Sequence, residues 1–396
     1  MTELTLPRVG QVVTRALETA RIPGAVVLVS SQGTAVHRDA RGVPEPGSSH
    51  RLRPDTIMWL ASMTKVVCAA ALLMLADDGK LDVGDPVSRY IPQFAAPGRV
   101  RVLRPGSPPP QPAMPFGPPP DPLPVYDEVP ADREIRVRDL LTHTSGLQSI
   151  FRWNPEYRPP VAGETLAAHV PSLARVVRDF QPGSEWAYSN AAGFDVLARV
   201  AEVASGLSFD DLLRRRVFDP LDLRDTGFGL GRTDRAAPLD SRFADNPVPA
   251  GQGYFSGAAG LWASLTDYLA FAEFLRDGRT RDGRQLLSQE AVRRLTANQV
   301  GDLCPGLNGR PESKGIGFGY AVAVVTDAAA AGVPFSTGTF GWDGVATRRF
   351  WVDREAGVTL VMYVPDQQVQ QDIETAVADD LRVELRPSAT EDGGHQ

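Results

Sequence analysis

Lysine is scarce in this chain of 396 residues. Of 41 basic side chains only Lys65, Lys80 and Lys314 are lysine, and the remaining 38 are arginine. The amine of lysine can be tuned to lose its proton, whereas the guanidinium of arginine effectively cannot. A chain with this bias is expected to keep lysine where a proton must be transferred. Lys65 is the leading candidate, because Ser62 lies three residues before it.

Cysteines, histidines and long apolar runs are also few. Cys68 and Cys304 lie far apart, so we predict no disulfide framework and expect a reducing compartment. The five histidines lack the spacing of a zinc site, and we expect neither a metal nor a cofactor. The longest apolar run, near residues 66–76, is too short to cross a bilayer. Residues 1–11 show no signal-peptide pattern, so we predict a cytoplasmic protein that does not bind membranes.

Charge and length narrow the class of protein further. The net charge of −7 disfavours a nucleic-acid surface, and 42% apolar with 22% charged residues is ordinary for a globular protein. A chain of this length exceeds the usual size of a single core. We therefore predict one large two-lobed body or two closely packed domains, of unknown oligomeric state.

Local patterns predict strands at both ends of the chain and helices between them. An N-terminal hairpin is predicted, with strands over residues 25–29 and 34–37. The other predicted elements are helices over 9–20, 193–218 and 266–277, and strands over 319–325, 347–352 and 358–364. The expected fold is α+β: an antiparallel sheet of N- and C-terminal strands flanked by helices, with a mainly helical second lobe.

The predicted domain, residues 1–387, has an α/β lobe at about 8–60 and 266–387 and a helical lobe at about 80–265. An insertion over 103–125 interrupts it, with eleven prolines between positions 105 and 124. Proline cannot donate main-chain hydrogen bonds, so we expect a polyproline or disordered segment there. A stiff flap near the substrate entrance is the alternative hypothesis. Residues 388–396 are predicted to be a disordered tail.

Residues 64–77 are predicted to form a helix that is apolar on nearly all sides. Such a helix is buried, so its N-terminus, with Ser62 in the first turn, would lie inside the protein. Positions three apart share one helix face, which makes Ser62 and Lys65 neighbours. A hydroxyl beside an amine that can become neutral is a nucleophile beside its base.

Two further motifs accompany this pair. Tyr188-Ser189-Asn190 offers a phenol and an amide, which can hold a lysine or a substrate carbonyl. Gly341-Trp342-Asp343-Gly344-Val345 lies between the predicted strands, where glycine permits close approach of a ligand. His143 invites assignment as a catalytic base, but we expect a packed, hydrogen-bonded residue there.

Together the three motifs resemble those of the serine β-lactamase and penicillin-binding-protein superfamily. The match is to its class C branch, which has Tyr-x-Asn in the second motif. The resemblance spans about residues 8–365 and includes further family-like phrases, at Ile22-Pro23-Gly24-Ala25, Leu140 to Leu147 and Pro182-Gly183-Ser184. It implies the β-lactamase/transpeptidase-like fold and a covalent acyl-enzyme.

The third motif departs from the class C pattern. Class C β-lactamases have Lys-Thr-Gly there, whereas this chain has Trp342-Asp343-Gly344. It is closer to the class C-like (family VIII) carboxylesterases, which have a Trp-Gly-Gly type motif. A ring in place of a cation, with Asp343 beside it, would disfavour anionic substrates. The resemblance therefore implies a serine hydrolase of neutral carboxylic esters.

The resemblance also implies roles for individual residues. Ser62 would attack the acyl carbonyl, while Lys65 and Tyr188 share the general-base work and the Lys65 charge lowers the pKa of the Tyr188 phenol. Asn190 would orient Lys65 and the substrate. The N–H groups of Ser62 and Val345 would form the oxyanion hole, and Trp342, Asp343 and Gly344 would complete the substrate site.

Other activities share the same first step. An acyltransferase on this scaffold would resolve the acyl-enzyme with an alcohol or amine instead of water. A D-amino-acid amidase or peptidase and a weak β-lactamase follow the same chemistry. A catalytically silent binding module is the alternative outside enzymes, and the four retained motif residues argue against it.

Overall fold

The computed structural model of the protein describes residues 6–384 apart from 96–97, 110–118, 151, 231–232, 240–252, 305, 307–313 and 346. The helices are α1 (Pro7–Glu18), α2 (Thr64–Asp77), α3 (Val137–Leu141), α4 (Leu166–Leu173), α5 (Ala192–Ser205), α6 (Phe209–Leu213), α7 (Leu265–Asp277), α8 (Gln289–Thr296), α9 (Ala328–Ala331) and α10 (Gln367–Glu384). The strands are β1 (Gly24–Ser31), β2 (Thr34–Gly42), β3 (Ile57–Trp59), β4 (Arg99–Leu103), β5 (Tyr126–Pro130), β6 (Thr226–Phe228), β7 (Leu261–Ser264), β8 (Ile316–Phe318), β9 (Ala323–Val325), β10 (Phe340–Gly344), β11 (Arg348–Asp353) and β12 (Val358–Tyr363).

A seven-stranded antiparallel sheet of the described residues joins the two ends of the chain. Its strand order is β2-β1-β12-β11-β10-β9-β8. β1 runs antiparallel to β12, with Val26 opposite Tyr363 and Ser31 opposite Val358. The N-terminal hairpin therefore pairs with the C-terminal strands, which confirms the predicted sheet.

Helices cover both faces of the central part of this sheet, where β1, β11 and β12 are buried, whereas the edge strand β2 is more exposed. On β11, the indole of Trp351 donates to Glu374 of α10, while the neighbouring Phe350 contacts Tyr268 of α7. Adjacent residues of a strand point to opposite faces, so α7 and α10 lie on opposite sides of the sheet. α1 packs beside α10, where a carboxylate oxygen of Asp380 accepts the main-chain N–H of Arg8.

The second lobe is built around α2, whose described side chains from Thr64 to Leu75 are all buried. α2 packs against α5 and α8. A small antiparallel sheet in the order β3-β7-β6 lies next to its N-terminus, because Leu60, which follows β3, donates its N–H to Leu261 of β7. The start of α2 is thus fixed between this small sheet and the lobe's helices.

Several predicted boundaries differ from the structure. The motif around Trp342 was expected between strands but lies on β10. The helical block over 193–218 is interrupted at Gly206, which has φ +74 and ends α5. The predicted strand over 319–325 shortens to β9. α10 was not predicted, because its sequence is polar on its exposed face.

The insertion over 103–125 connects the two strands of the hairpin β4-β5. Its central part, 110–118, lies outside the described residues, as does the tail 388–396, so both expectations stay predictions. Within the described ranges, each helix is too short or too polar to cross a lipid bilayer.

The close approach of α2 and α5 depends on Gly257, and this generates a first prediction. A Cβ atom there would lie 2.5 Å from the Phe194 carbonyl oxygen and 3.1 Å from Sγ of Cys68. Gly257→Ala is expected to destabilise the protein by about 1–3 kcal/mol, as overpacking does. Gly10→Ala is the control, since Gly10 lies inside α1 and its added Cβ meets only an arginine tip at 3.6 Å. Equal urea midpoints for the two variants would contradict the close packing.

Candidate active site

Ser62 lies on a single 3-10 turn, Ala61–Met63, that leads directly into α2. Ala61 before it has φ +47, a left-handed conformation uncommon for a residue with a side chain. This bend ends β3 and turns the chain into the helix. Because α2 is apolar on all sides, its first turn is buried, and Ser62, just before it, is half-buried.

Lys65 has no exposed surface, and three oxygen atoms surround its amine. Nζ donates to the main-chain carbonyls of Asn190 at 2.8 Å and of Ala258 at 2.9 Å, and it lies 3.3 Å from Oγ of Ser62. Burial lowers the pKa of Lys65 to about 7, against the negative charge of Asp195, which raises it.

These contacts suit the neutral amine. A neutral amine has two N–H bonds and one lone pair, whereas an ammonium has three N–H bonds. When the carbonyls of Asn190 and Ala258 accept the two N–H bonds, the lone pair of Lys65 faces the hydroxyl of Ser62. With a pKa of about 7, part of Lys65 is neutral at pH 7 and can then accept a proton from Ser62.

The Tyr188 ring lies beside this pair, with its centroid 5.1 Å from Nζ of Lys65. Its buried hydroxyl makes no hydrogen bond of good geometry to the described residues, although Ser62 and Trp342 are near it. Burial raises the pKa of Tyr188, and the interactions with the Ser62 hydroxyl and the Trp342 indole oppose this only in part. The predicted lowering of this pKa by the Lys65 charge is wrong, because Lys65 is not among the groups that act on it. The phenol therefore stays protonated at neutral pH.

Asn190 contributes through its main chain as well as its side chain. The carbonyl oxygen holds Lys65, whereas the side-chain oxygen accepts a short hydrogen bond from Nε2 of Gln148. The Gln148 side-chain oxygen also accepts the N–H of Ala192, at the start of α5. Lys65 is thus held by the Asn190 backbone, whereas the predicted role of the side-chain amide stays a prediction. Gln148 was not predicted, although it directly follows the family-like phrase that ends at Leu147.

His143 has the packed role expected of it. The ring is buried, and its Nδ1 accepts the main-chain N–H of Ser189 at 3.0 Å. The ring centroid lies 4.5 Å from that of Tyr188. Burial lowers the pKa of His143 well below its usual value, so the imidazole is neutral. His143 therefore fixes the segment between Tyr188 and Asn190.

The third motif splits between the two faces of β10. The Trp342 ring faces the site, 5.3 Å from the Tyr188 ring and 5.2 Å from the Phe318 ring. Asp343 points to the other face, where Oδ2 lies 3.4 Å from a guanidinium nitrogen of Arg349. The structure therefore does not place the Asp343 carboxylate in the substrate site, because neighbouring strand residues alternate in direction. Its charge is paired with Arg349.

Gly344 brings β10 up to the nucleophile. A Cβ atom at this position would lie 2.5 Å from the Leu60 carbonyl oxygen, so only glycine allows this approach. β10 consequently contacts the turn Ala61–Met63. Val345 follows at the strand end, where its side chain is 51% exposed.

Sequence reasoning also missed a buried carboxylate behind Lys65. Asp195 of α5 is 2% exposed and accepts hydrogen bonds from the hydroxyls of Tyr254 and Ser256. The sequence did contain an indication that this carboxylate is buried, because Asp195 lies between the apolar residues Phe194 and Val196.

Within the described ranges, no group of histidine, cysteine and acidic side chains is arranged to hold a metal ion.

The sequence matches known proteins over most of its length. A family model described as Beta-lactamase matches residues 9–383. The chain is 31% identical to esterase EstB of Burkholderia gladioli over 389 residues, which covers 90% of this chain and 89% of EstB. It is 29% identical to lovastatin esterase of Penicillium rubens over 306 residues, covering 72% and 71% of the two chains.

Solved structures share the fold as well. EstCE1, described as a hydrolase with promiscuous acyltransferase activity, superposes with a TM-score of 0.73 at 25% identity, over 94% of this chain and 98% of EstCE1. Simvastatin synthase LovD of Aspergillus terreus superposes with a TM-score of 0.70 at 20% identity, over 93% and 97% of the two chains.

The second prediction concerns the identity of the base. Lys65→Arg is expected to abolish turnover of an acyl ester without unfolding the protein, because a guanidinium keeps its proton at any working pH. Lys80→Arg is the matched control, since Lys80 is exposed and should tolerate the change. Turnover and melting temperature are measured together. A Lys65→Arg rate within tenfold of the wild type, or about 1.4 kcal/mol of barrier, would rule out Lys65 as the proton acceptor.

The third prediction concerns pH. Lys65 accepts a proton only when neutral, so kcat/KM is expected to rise with pH through about 7 and to be lost below it. Because burial raises the pKa of Tyr188, the phenol should cause no further change below its ordinary value of 10.0. Stopped-flow or plate assays from pH 5 to 9.5 test this. An acid limb centred near pH 4 would instead indicate a carboxylate base.

Proposed function

Because the chain belongs to the beta-lactamase family, we propose that it is a serine ester hydrolase acting through an acyl-enzyme on Ser62. The observation that carries this proposal is the arrangement of Lys65. Its Nζ lies 3.3 Å from Oγ of Ser62, and its pKa of about 7 allows the amine to accept a proton at neutral pH. Relatives named as esterases support a small-molecule ester as the substrate.

Acylation begins when Lys65 takes the proton of Ser62. The serine oxygen then attacks the ester carbonyl, and negative charge develops on the carbonyl oxygen. The main-chain N–H groups of Ser62 and Val345 are suited to stabilise it, since β10 approaches the nucleophile's turn at Gly344. Each such donor contributes about 3–4 kcal/mol of barrier reduction.

Tyr188 serves as the acid in this scheme. Its protonated hydroxyl gives a proton to the departing alcohol oxygen and regains one from the Lys65 ammonium. Water then attacks the acyl-enzyme and gives a proton to Lys65. When the bond between the acyl carbon and the Ser62 oxygen breaks, the Lys65 ammonium returns that proton to the serine oxygen and the carboxylic acid leaves. Tyr188 and Lys65 thus share the proton transfers, and Lys65 is the group that is free to accept a proton at neutral pH.

The proposal that the protein is a class C-like esterase depends on Trp342. An indole packs against acyl or alcohol groups but offers no charge-assisted hydrogen bond to a carboxylate. The rings of Trp186, Phe318 and Trp342 form an aromatic wall next to Tyr188. Neutral esters fit this wall better than β-lactams, which have a carboxylate. The Asp343 charge is not needed for this argument, because Arg349 pairs with it.

Acyl transfer is the second candidate. The similarity to EstCE1, whose description includes promiscuous acyltransferase activity, favours it. In that reaction an alcohol or amine replaces water in the second step, with no change in the roles of Ser62 and Lys65.

A cytoplasmic location is also proposed, supported by two free cysteines, Cys68 and Cys304.

The fourth prediction tests substrate class. p-Nitrophenyl esters of graded acyl length are expected to give a far higher kcat/KM than any cephalosporin, because Trp342 cannot pair with a carboxylate. Ser62→Ala is the control for enzyme-independent hydrolysis. Added alcohols and amines, with products separated by chromatography, distinguish acyl transfer from hydrolysis. A cephalosporin with a higher kcat/KM than the best ester would refute the substrate assignment.

A further inference from the structure

A buried acid lies behind the catalytic lysine. Asp195 is 2% exposed, on the face of α5 that packs inside the protein. An isolated carboxylate is costly to bury unless hydrogen bonds or an opposite charge compensate it. Here the hydroxyl of Tyr254 donates to it at 2.7 Å, that of Ser256 at 2.6 Å and the main-chain N–H of Ala258 at 3.4 Å.

The donors all belong to one loop, residues 254–259, and that loop contacts Lys65. Oγ of Ser256 donates to Asp195 and accepts the main-chain N–H of Ala258 at 3.2 Å. The Ala258 carbonyl accepts the amine of Lys65 at 2.9 Å. A continuous chain of hydrogen bonds therefore runs from the carboxylate through the loop to the amine.

The loop has little freedom to move away from this position. Gly257 packs so closely against α5 and α2 that no side chain fits there. The next carbonyl, that of Ala259, accepts the indole N–H of Trp59 at 2.6 Å. Asp195 thus holds one side of this loop, while the packing of Gly257 and the hydrogen bond from Trp59 confine its other sides.

The charge of Asp195 also acts on Lys65 directly. Burial lowers the pKa of Lys65, and the Asp195 carboxylate raises it in opposition. Burial raises the pKa of Asp195 itself, while its hydrogen bonds from Ser256 and Tyr254 lower it. The other titratable groups that face the pair are Cys68, His143, Tyr157, His169 and Tyr188.

We propose that Asp195 is a positioning residue that holds the 254–259 loop against Lys65 and stabilises the ammonium that forms when Lys65 takes the serine proton. This inference rests on the proposed function for its consequence in catalysis, but the effect on Lys65 is independent of any substrate. A lysine without this counter-charge would be a weaker base in the same buried place.

The test is a titration of the lysine side chains followed by ¹³C NMR. With three lysines in the chain, protein labelled with ¹³C at lysine Cε gives at most three side-chain signals. Asp195→Asn removes the charge and keeps an acceptor for Tyr254. We expect the Lys65 titration to move to lower pH by about one unit, the low end of what an adjacent opposite charge contributes. The acid limb of the kcat/KM profile should move by the same amount.

Asp267→Asn is the matched control. Asp267 of α7 likewise accepts hydrogen bonds, from the hydroxyl of Thr226 at 2.9 Å and the N–H of Asp225 at 2.7 Å. It is not among the groups that influence Lys65. This variant should lower the melting temperature without moving the Lys65 signal. An unmoved Lys65 titration in Asp195→Asn would overturn the proposal, whether or not the protein proves to be an esterase.

Two further variants separate charge from geometry. Ser256→Ala and Tyr254→Phe each remove one hydrogen bond to Asp195 but leave its carboxylate in place. The Lys65 titration should stay at its wild-type position in both. A shift to lower pH as large as that in Asp195→Asn would show that loop displacement causes the effect, and would overturn the charge assignment. These variants also provide the test if Asp195→Asn fails to fold.

Discussion

An amine without exposed surface must find a partner for every N–H bond within the protein. The arrangement of this site depends on how Lys65 meets that requirement. Two carbonyls, from segments 125 and 193 residues away in the chain, accept its hydrogens. Each carbonyl has to be held firmly, because a movement of about 1 Å would break its hydrogen bond. His143 and Gln148 hold the first segment, and Asp195 anchors the second.

The two-lobed architecture serves this convergence. α2 places Lys65 in the interior, where burial removes water from around the amine, and the turn before α2 places the half-buried Ser62 beside it. The large sheet joins the chain's ends, so that β10 delivers Trp342 from the opposite side. Gly344 sets the distance between the lobes at this point, since a larger residue would collide with the turn before Ser62. Ser62 and Lys65 thus come from one turn and the helix that follows it, whereas the rings of the aromatic wall come from β8, β10 and the segment before α5.

Sequence reasoning recovered the parts of this arrangement that depend on local pattern. The bounds of α2 agree with the predicted helix, because an apolar run ending in aspartate and glycine is unambiguous. The pairing of the chain's ends followed from the strand order and the resemblance. What it could not find depends on contacts between distant residues. β10 contains two glycines and an aspartate, residues depleted in strands, and the outward direction of Asp343 follows only once that strand exists. The Asp195 hydrogen bonds and the short contact from Gln148 to Asn190 likewise join residues far apart in sequence.

The placement of the three lysines has a practical consequence for handling the enzyme. Lys80 and Lys314 are exposed, whereas Lys65 has no accessible surface. Reagents that acylate amines would therefore modify these two surface positions before reaching Lys65. Attachment to an activated resin or a fluorophore through lysine would leave the central amine intact, and it would present the protein in few orientations.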